Sequence, residues 1–322
     1  MRFASRSLAL LALLAGVSPL LAQDGFTLQD KPGEQLDILL DGKIAARYMY
    51  AYDKSTPKSL NLTFKPYLHV FDADGKAPIT NGPGGQFPHH RGIYIGWNKI
   101  SFEGKMYDRW HMTKGEIVHE KFLNQKADKD KATFTSLTHW YTDTGKVILD
   151  EERTMTIQRP KGPGRLVIDG SFKLTAPNGD VKLDGDPEHA GIHFRPAAEV
   201  VARETVYTFP VEKAVPTKDV DYPWVGETFT LNGKRHSVVI VNHPDNPKNT
   251  RWSAYRDYGR FGAFPVVAIK KGESQTFNYR FVIADGEMLP AADIQKQADL
   301  YTGAKDPTPT PKTTVLGGPK KS

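Results

Sequence analysis

Residues 116–175 read EIVHEKFLNQKADKDKATFTSLTHWYTDTGKVILDEERTMTIQRPKGPGRLVIDGSFKLT. Four runs in this stretch, Glu116–Leu123, Thr133–Tyr141, Val147–Ile157 and Leu166–Thr175, read as strands through their alternation and their β-branched and aromatic residues. Between and after them, residues 126–131, 142–145, 160–164 and 177–180 carry the Asp, Asn, Gly and Pro of tight turns. Regular strands joined by such turns, with almost no helix, argue for an antiparallel arrangement. On one face of the third run, Val147, Leu149, Met155 and Ile157 bracket Glu151 and Arg153, so that strand is expected to be long and partly solvated.

The same grammar extends to both sides. Leu36–Leu40 and Ile44–Tyr50 flank Asp41-Gly42, a two-residue hairpin signal. Tyr67–Phe71 runs into the turn Asp72–Gly75, and Ile93–Trp97 alternates. Downstream, His189–Val201 reads as extended, and Glu227–Leu231 and His236–Val241 meet at Asn232-Gly233. Phe261–Ile269 and Gln275–Ile283 about Lys270–Glu273 read as a third hairpin. Only Pro290–Tyr301 has helical spacing, with Pro290 suited to the first turn, Ile294, Ala298 and Tyr301 on one face, and Gly303 to close it. The expectation is an all-β chain: a large antiparallel β-sandwich over residues 23–303 as one domain, with one short C-terminal helix. Residues 304–322 repeat Pro and Thr and read as a disordered tail.

The N-terminus reads as a targeting segment. Arg2 and Arg6 precede the apolar run Leu8–Leu21, and Ala22 offers a small residue before Gln23, so residues 1–22 read as a signal peptide. No later stretch approaches the ~20 apolar residues of a spanning helix, so export to the periplasm or beyond is expected, with no membrane span after cleavage. The 322 residues contain no cysteine, which excludes disulfides, a thiol nucleophile and thiolate metal sites. Taking Arg2, Arg6 and the net +3 of the tail from the formal charge of +6 leaves +1 for the body. That balance gives no basic face for nucleic acid.

Three segments concentrate histidine and arginine beside strands: Pro88–Arg91, Glu188–Arg195 and Asn242–Pro247. Strand alternation would place His89 and Arg91 on one side and His90 on the other, with Gly92 and Gly96 leaving room for close approach of backbone or ligand. The same period groups Gly191, His193 and Arg195. A histidine beside an arginine loses proton affinity, and Glu188 nearby would restore it. Two prolines around His243 make a rigid loop at a strand end, where sites are commonly built. Trp252, Tyr255, Tyr258 and Phe261 with Arg251, Arg256 and Arg260 could stack on a sugar and fix an anionic group. The bland alternatives are histidines bonded to backbone and aromatics packed between sheets.

Lys65–His69, Pro88–Gly92, and Asn242–Pro247 followed by Trp252, Arg256 and Tyr258-Gly259 together resemble the exported bacterial family called PmoA-like, or methane-oxygenase PmoA. The resemblance spans roughly Leu36 to Ile283 and implies a fold similar to the galactose-mutarotase supersandwich. A true membrane methane monooxygenase subunit would need several spanning helices.

These residues point to a carbohydrate-active or carbohydrate-binding protein of the cell envelope, taking a small molecule or oligosaccharide. Enzymatic action would be that of an epimerase, lyase or hydrolase. Glu188, His193 and His243 are the expected acid/base residues, and His89, His90, Arg91, Arg195, Arg256 and Trp252 the expected substrate contacts. His89, His90, His193, His243 and Glu188 are metal-ligand types without chelating spacing, so no metal and no cofactor are assigned. A non-catalytic envelope module and a metal-dependent oxygenase are the rival readings. No phosphate-cradling glycine loop and no serine nucleophile elbow is present.

Overall fold

The computed structural model describes residues 24–112, 114–186 and 188–317. The expected signal peptide lies outside the described residues. In chain order the strands are β1 (Phe26–Lys31), β2 (Gln35–Leu40), β3 (Lys43–Met49), β4 (Tyr67–Val70), β5 (Ile93–Trp97), β6 (Lys99–Phe102), β7 (Lys105–Tyr107), β8 (Ile117–Ala127), β9 (Lys131–Tyr141) and β10 (Val147–Gln158). They continue as β11 (Leu166–Thr175), β12 (Val181–Asp184), β13 (Ala190–Phe194), β14 (Val206–Phe209), β15 (Trp224–Leu231), β16 (Lys234–Asn242), β17 (Arg251–Ser253), β18 (Phe261–Phe264), β19 (Val267–Ile269), β20 (Ser274–Asp285) and β21 (Thr314–Gly317). Helices α1 (Pro57–Thr63) and α2 (Ala291–Thr302) complete the elements used below.

The strands form one sheet of eight, in the order β1-β2-β3-β4-β5-β13-β18-β17, and one of nine, in the order β21-β14-β15-β16-β20-β11-β10-β9-β8. A small sheet, β19-β12-β6-β7, accompanies them. All the pairings are antiparallel, and the two large sheets pack as a β-sandwich. The core between them is built from rings contributed by both: Trp97 meets Trp140 and Phe277, Tyr48 meets Phe134, and Phe194 meets Phe229. Removing such side chains from water supplies ~1.5–3 kcal/mol each.

The hairpins at Asp41-Gly42 and Asn232-Gly233 form as expected, joining β2 to β3 and β15 to β16, with all four turn residues at positive φ. The third expected hairpin does not form. Pro265 follows β18 and cannot donate to a ladder, so the run splits: β18 stays in the eight-stranded sheet while β19 joins β12 in the small one. β20 pairs instead with β11 and β16.

The charged face of β10 is buried rather than solvated. The Arg153 Nε donates to Glu151 Oε1 at 2.6 Å, Trp140 Nε1 donates to Glu151 Oε2 at 2.7 Å, and both charged residues are shut from solvent. α2 forms where expected and closes on Gly303 in the left-handed conformation. Helix α1 is an addition to the expected elements: Thr56 caps it by accepting the Ser59 backbone N–H and Pro57 opens it. The stretch after Gly303 departs from its expected disorder. Thr314–Gly317 add β21 to the free edge of β14, and Leu316 packs against the core.

Candidate functional site

The site lies on the face of the eight-stranded sheet turned away from the sandwich core. In β5 the side chains of Ile93, Ile95 and Trp97 enter the core, and in β13 those of Ile192 and Phe194 do so. Alternation sends Tyr94 and His193 the other way. These two are register partners with ring centroids 4.2 Å apart. A Cβ on Gly96 would come within 2.4 Å of the Arg109 carbonyl oxygen, so the bare glycine lets the 108–112 segment lie close over the sheet. That segment brings Trp110 onto His193, at 4.9 Å between centroids. The expected use of a glycine for close backbone approach is met here.

Two loops of one design flank this floor. Asp108 Oδ1 accepts the backbone N–H groups of Trp110 and His111 at 2.8 Å each, and its Oδ2 lies 2.7 Å from His111 Nδ1. Asp186 Oδ1 accepts the Glu188 N–H at 3.0 Å and lies 2.7 Å from His189 Nδ1, while Asn98 Nδ2 donates to its Oδ2 at 2.8 Å. An ionised carboxylate only accepts, so each Nδ1 carries the hydrogen and each neutral ring keeps its lone pair on Nε2. The imidazoles of His111 and His189 stand 4.6 Å apart, and their side chains remain 31% and 30% exposed. Neither His111 nor Asp108 nor Asp186 was picked out from the sequence. The repeated spacing Asp-x-x-His, at 108–111 and 186–189, was the available signal.

The electrostatics agree with neutral rings. Burial lowers the His189 pKa, against the opposing pull of Asp186, with His111 and Arg260 adding to the lowering. Burial likewise pushes His89 down to about 3 and holds His193 well below the ordinary histidine range; His90 is driven down by burial and by Arg260. For Asp108 burial works upward, but hydrogen bonds from the His111 ring and the Trp110 and His111 amides outweigh it and lower its pKa. Asp186 balances in the same way, through Asn98, the Glu188 amide and His189.

The other expected residues divide. His89 joins the cluster, 4.7 Å from His111 and 4.2 Å from His90. These adjacent rings touch because Pro88–Arg91 is a turn and not a strand, so alternation does not apply there. His90 Nε2 accepts from Trp110 Nε1 at 3.3 Å, and His193 Nε2 faces the Arg91 carbonyl at 3.4 Å; the Nδ1 of each is buried without a partner. Glu188 stands at the rim, gripped by the Arg256 guanidinium and by the Tyr255 hydroxyl at 3.2 Å. Arg195 donates to the Tyr258 carbonyl and lies over its ring, which packs tilted against Phe87 at 4.9 Å.

Three residues are placed elsewhere. Arg91 spends its guanidinium on the carbonyls of Pro88, Leu62 and Asn61, tying the turn to α1. Trp252 is fully enclosed in the core between the sheets, closed to a ligand. His243 follows β16 in the other large sheet, accepts the Asp245 N–H at 3.2 Å and packs edge-on against Tyr301 of α2. A loop's composition does not say which sheet its strand joins, and His243 is therefore not brought to the other histidines. Among the described residues, no group of three or more His, Asp or Glu is arranged to hold a metal ion.

Residues 35–299 match the family described as "Family of unknown function (DUF6807)", and the chain belongs to that family. A search of curated proteins gives no match. Solved structures with a similar strand arrangement include a galactose mutarotase-like protein from Lactobacillus casei ATCC 334, at TM-score 0.33 and 9% identity over 81% of this chain and 100% of that one. Galactose 1-epimerase from Lactobacillus acidophilus NCFM gives TM-score 0.34 and 8% identity, over 81% of this chain and 94% of that one. A protein described as a kojibiose phosphorylase from human microbiome gives TM-score 0.36 and 7% identity, over 80% of this chain; the present chain spans 31% of its length. Likenesses at this level assign no role to any residue.

Proposed function

We propose that this chain is a carbohydrate-active protein of the cell envelope whose acid/base groups are His111 and His189. The observation that carries the reading is the pair of Asp-held imidazoles 4.6 Å apart, each with a partly open ring and an Nε2 that no described residue engages. A carboxylate on Nδ1 fixes the tautomer and stabilises the imidazolium formed when Nε2 takes a proton. Two such rings side by side resist double protonation. One ring at a time therefore takes a proton on Nε2 as base and, once charged, returns it as acid. That exchange suits proton transfer at a sugar carbon or its ring oxygen, as in an epimerase, mutarotase or lyase.

The rim supports a saccharide. The half-buried rings of Phe87, Tyr255 and Tyr258 offer apolar faces to the C–H side of a sugar, and the Glu188–Arg256 pair offers donors and acceptors to its hydroxyls. In this reading Glu188 orients substrate and His193 belongs to the floor, replacing the acid/base roles expected for them. Calorimetric titration with a panel of neutral, acidic and keto sugars tests it. Binding by at least one of them, lost in a His111→Gln, His189→Gln double variant that still folds, is expected. A panel without a single binder overturns the reading.

A further inference from the structure

We propose that the site takes an anionic sugar, a saccharide whose carboxylate balances the charge of Arg260. This narrows the carbohydrate reading above and rests on it. Arg260 immediately precedes β18 and is 1% exposed. Its Nη2 donates to Ser253 Oγ at 2.6 Å, its Nε is buried without a partner, and its guanidinium carbon stands 5.9 Å from the centre of the Trp110 ring. Among the described residues no carboxylate lies within ion-pair distance of it, although the buried Glu227 is in its field.

Three carboxylates beside the histidine cluster are engaged. Asp108 holds His111, Asp186 holds His189 and Asn98, and Glu188 is paired with Arg256. Lys65 is buried as well: it is 2% exposed, donates to the Trp110 carbonyl at 2.7 Å and lies 3.7 Å from the centre of the Tyr94 ring; no carboxylate pairs with it among the described residues, and burial, with Arg91, holds its pKa well below the ordinary lysine range. Trp110, which packs on His193, thus has a buried basic group on its backbone side and another over its ring. The buried carboxyl in the field of Arg260 is Glu227, neither of whose oxygens has a hydrogen-bond partner. Burial pushes the Glu227 pKa well up, against Arg195, Tyr207 and Arg260, which favours its neutral form. Even ionised, Glu227 would face two guanidiniums.

A buried charge without a counter-charge is costly to fold around. A ligand carboxylate removes that cost on binding and matches the planar fork of a guanidinium. Arg260 also lowers the proton affinity of His90, His189 and His193, so its positive charge acts on the cluster and favours an anion beside it. A neutral sugar of the same shape gains none of this.

The test is calorimetry on the intact protein with matched pairs, galactose against galacturonate and glucose against glucuronate, with inorganic phosphate as a separate probe. The acid of at least one pair should bind about tenfold or more tighter than its neutral partner. The preference should vanish in Arg260→Gln and survive, reduced, in Arg260→Lys, which keeps the charge and loses the fork. Equal binding within each pair overturns the anionic inference and leaves the carbohydrate reading standing. Binding by phosphate but by neither uronate overturns it too, since the ligand oxyanion is then no carboxylate. If no saccharide binds at all, the carbohydrate reading fails and this inference fails with it. The comparison on the unaltered protein decides the matter even if both Arg260 variants misfold.

Discussion

Asp186 determines which nitrogen of His189 can react. With the hydrogen held on Nδ1, the lone pair is left on Nε2, and burial keeps the ring neutral at pH 7. A base must be deprotonated to act, so activity should rise with pH through a midpoint below the ordinary histidine value of 6.5 and be flat above it. A profile of kcat/KM against pH on whichever sugar binds checks this; a midpoint above 6.5 contradicts it. Asp186→Asn should leave the fold intact and lower kcat by on the order of 10²- to 10⁴-fold, as expected for a ring that loses its tautomer. Glu227 makes a separate prediction about stability. Its folded pKa is raised, so above about 4.5 the unfolded chain releases a proton that the folded chain keeps. Stability is therefore lost as pH rises from that point. Glu227→Gln should flatten the fall between pH 5 and 8 in denaturant titrations; an unchanged slope contradicts the assignment.

Among the elements, the segment 108–112 and its seat on β5 decide whether the dyads meet. Gly96→Ala forces a Cβ against the Arg109 carbonyl, which is backbone and cannot swing away. About 1–3 kcal/mol of stability should be lost, and sugar binding should weaken because His111 moves with the segment. Thermal melting with calorimetry reads both effects, and a variant with melting and binding unchanged would falsify the seating argument. Element-level legibility from sequence was uneven for physical reasons. Asp41-Gly42 and Asn232-Gly233 were readable because positive φ at both turn residues is a local demand. Pro265 was passed over, and with it the transfer of β19 to another sheet, because strand propensity on either side of it is high. Strand alternation carried across the loop-like Pro88–Arg91 puts His90 on the opposite side from His89, whereas the segment is a turn and the rings touch. The Asp-x-x-His loops are short-range structures visible in the letters. Their meeting is not, since His111 and His189 are 78 residues apart and only the register of β5 against β13 joins them.

For the molecule as a whole, the sandwich separates two polar regions that composition alone cannot tell apart. One is the histidine face over β5, β13 and β18; the other is the Asn242–Pro247 loop against α2. His89, His90 and His193 lie together with His111 and His189, and His243 lies apart against α2. The measurement that tests the central claim most directly is histidine-selective nitrogen NMR of the labelled protein, with and without a bound saccharide. The account predicts that the Nε2 signals of His111 and His189 shift on binding while those of His243 stay fixed. Shifts confined to His243, or unmoved His111 and His189 under a saturating sugar, would contradict it.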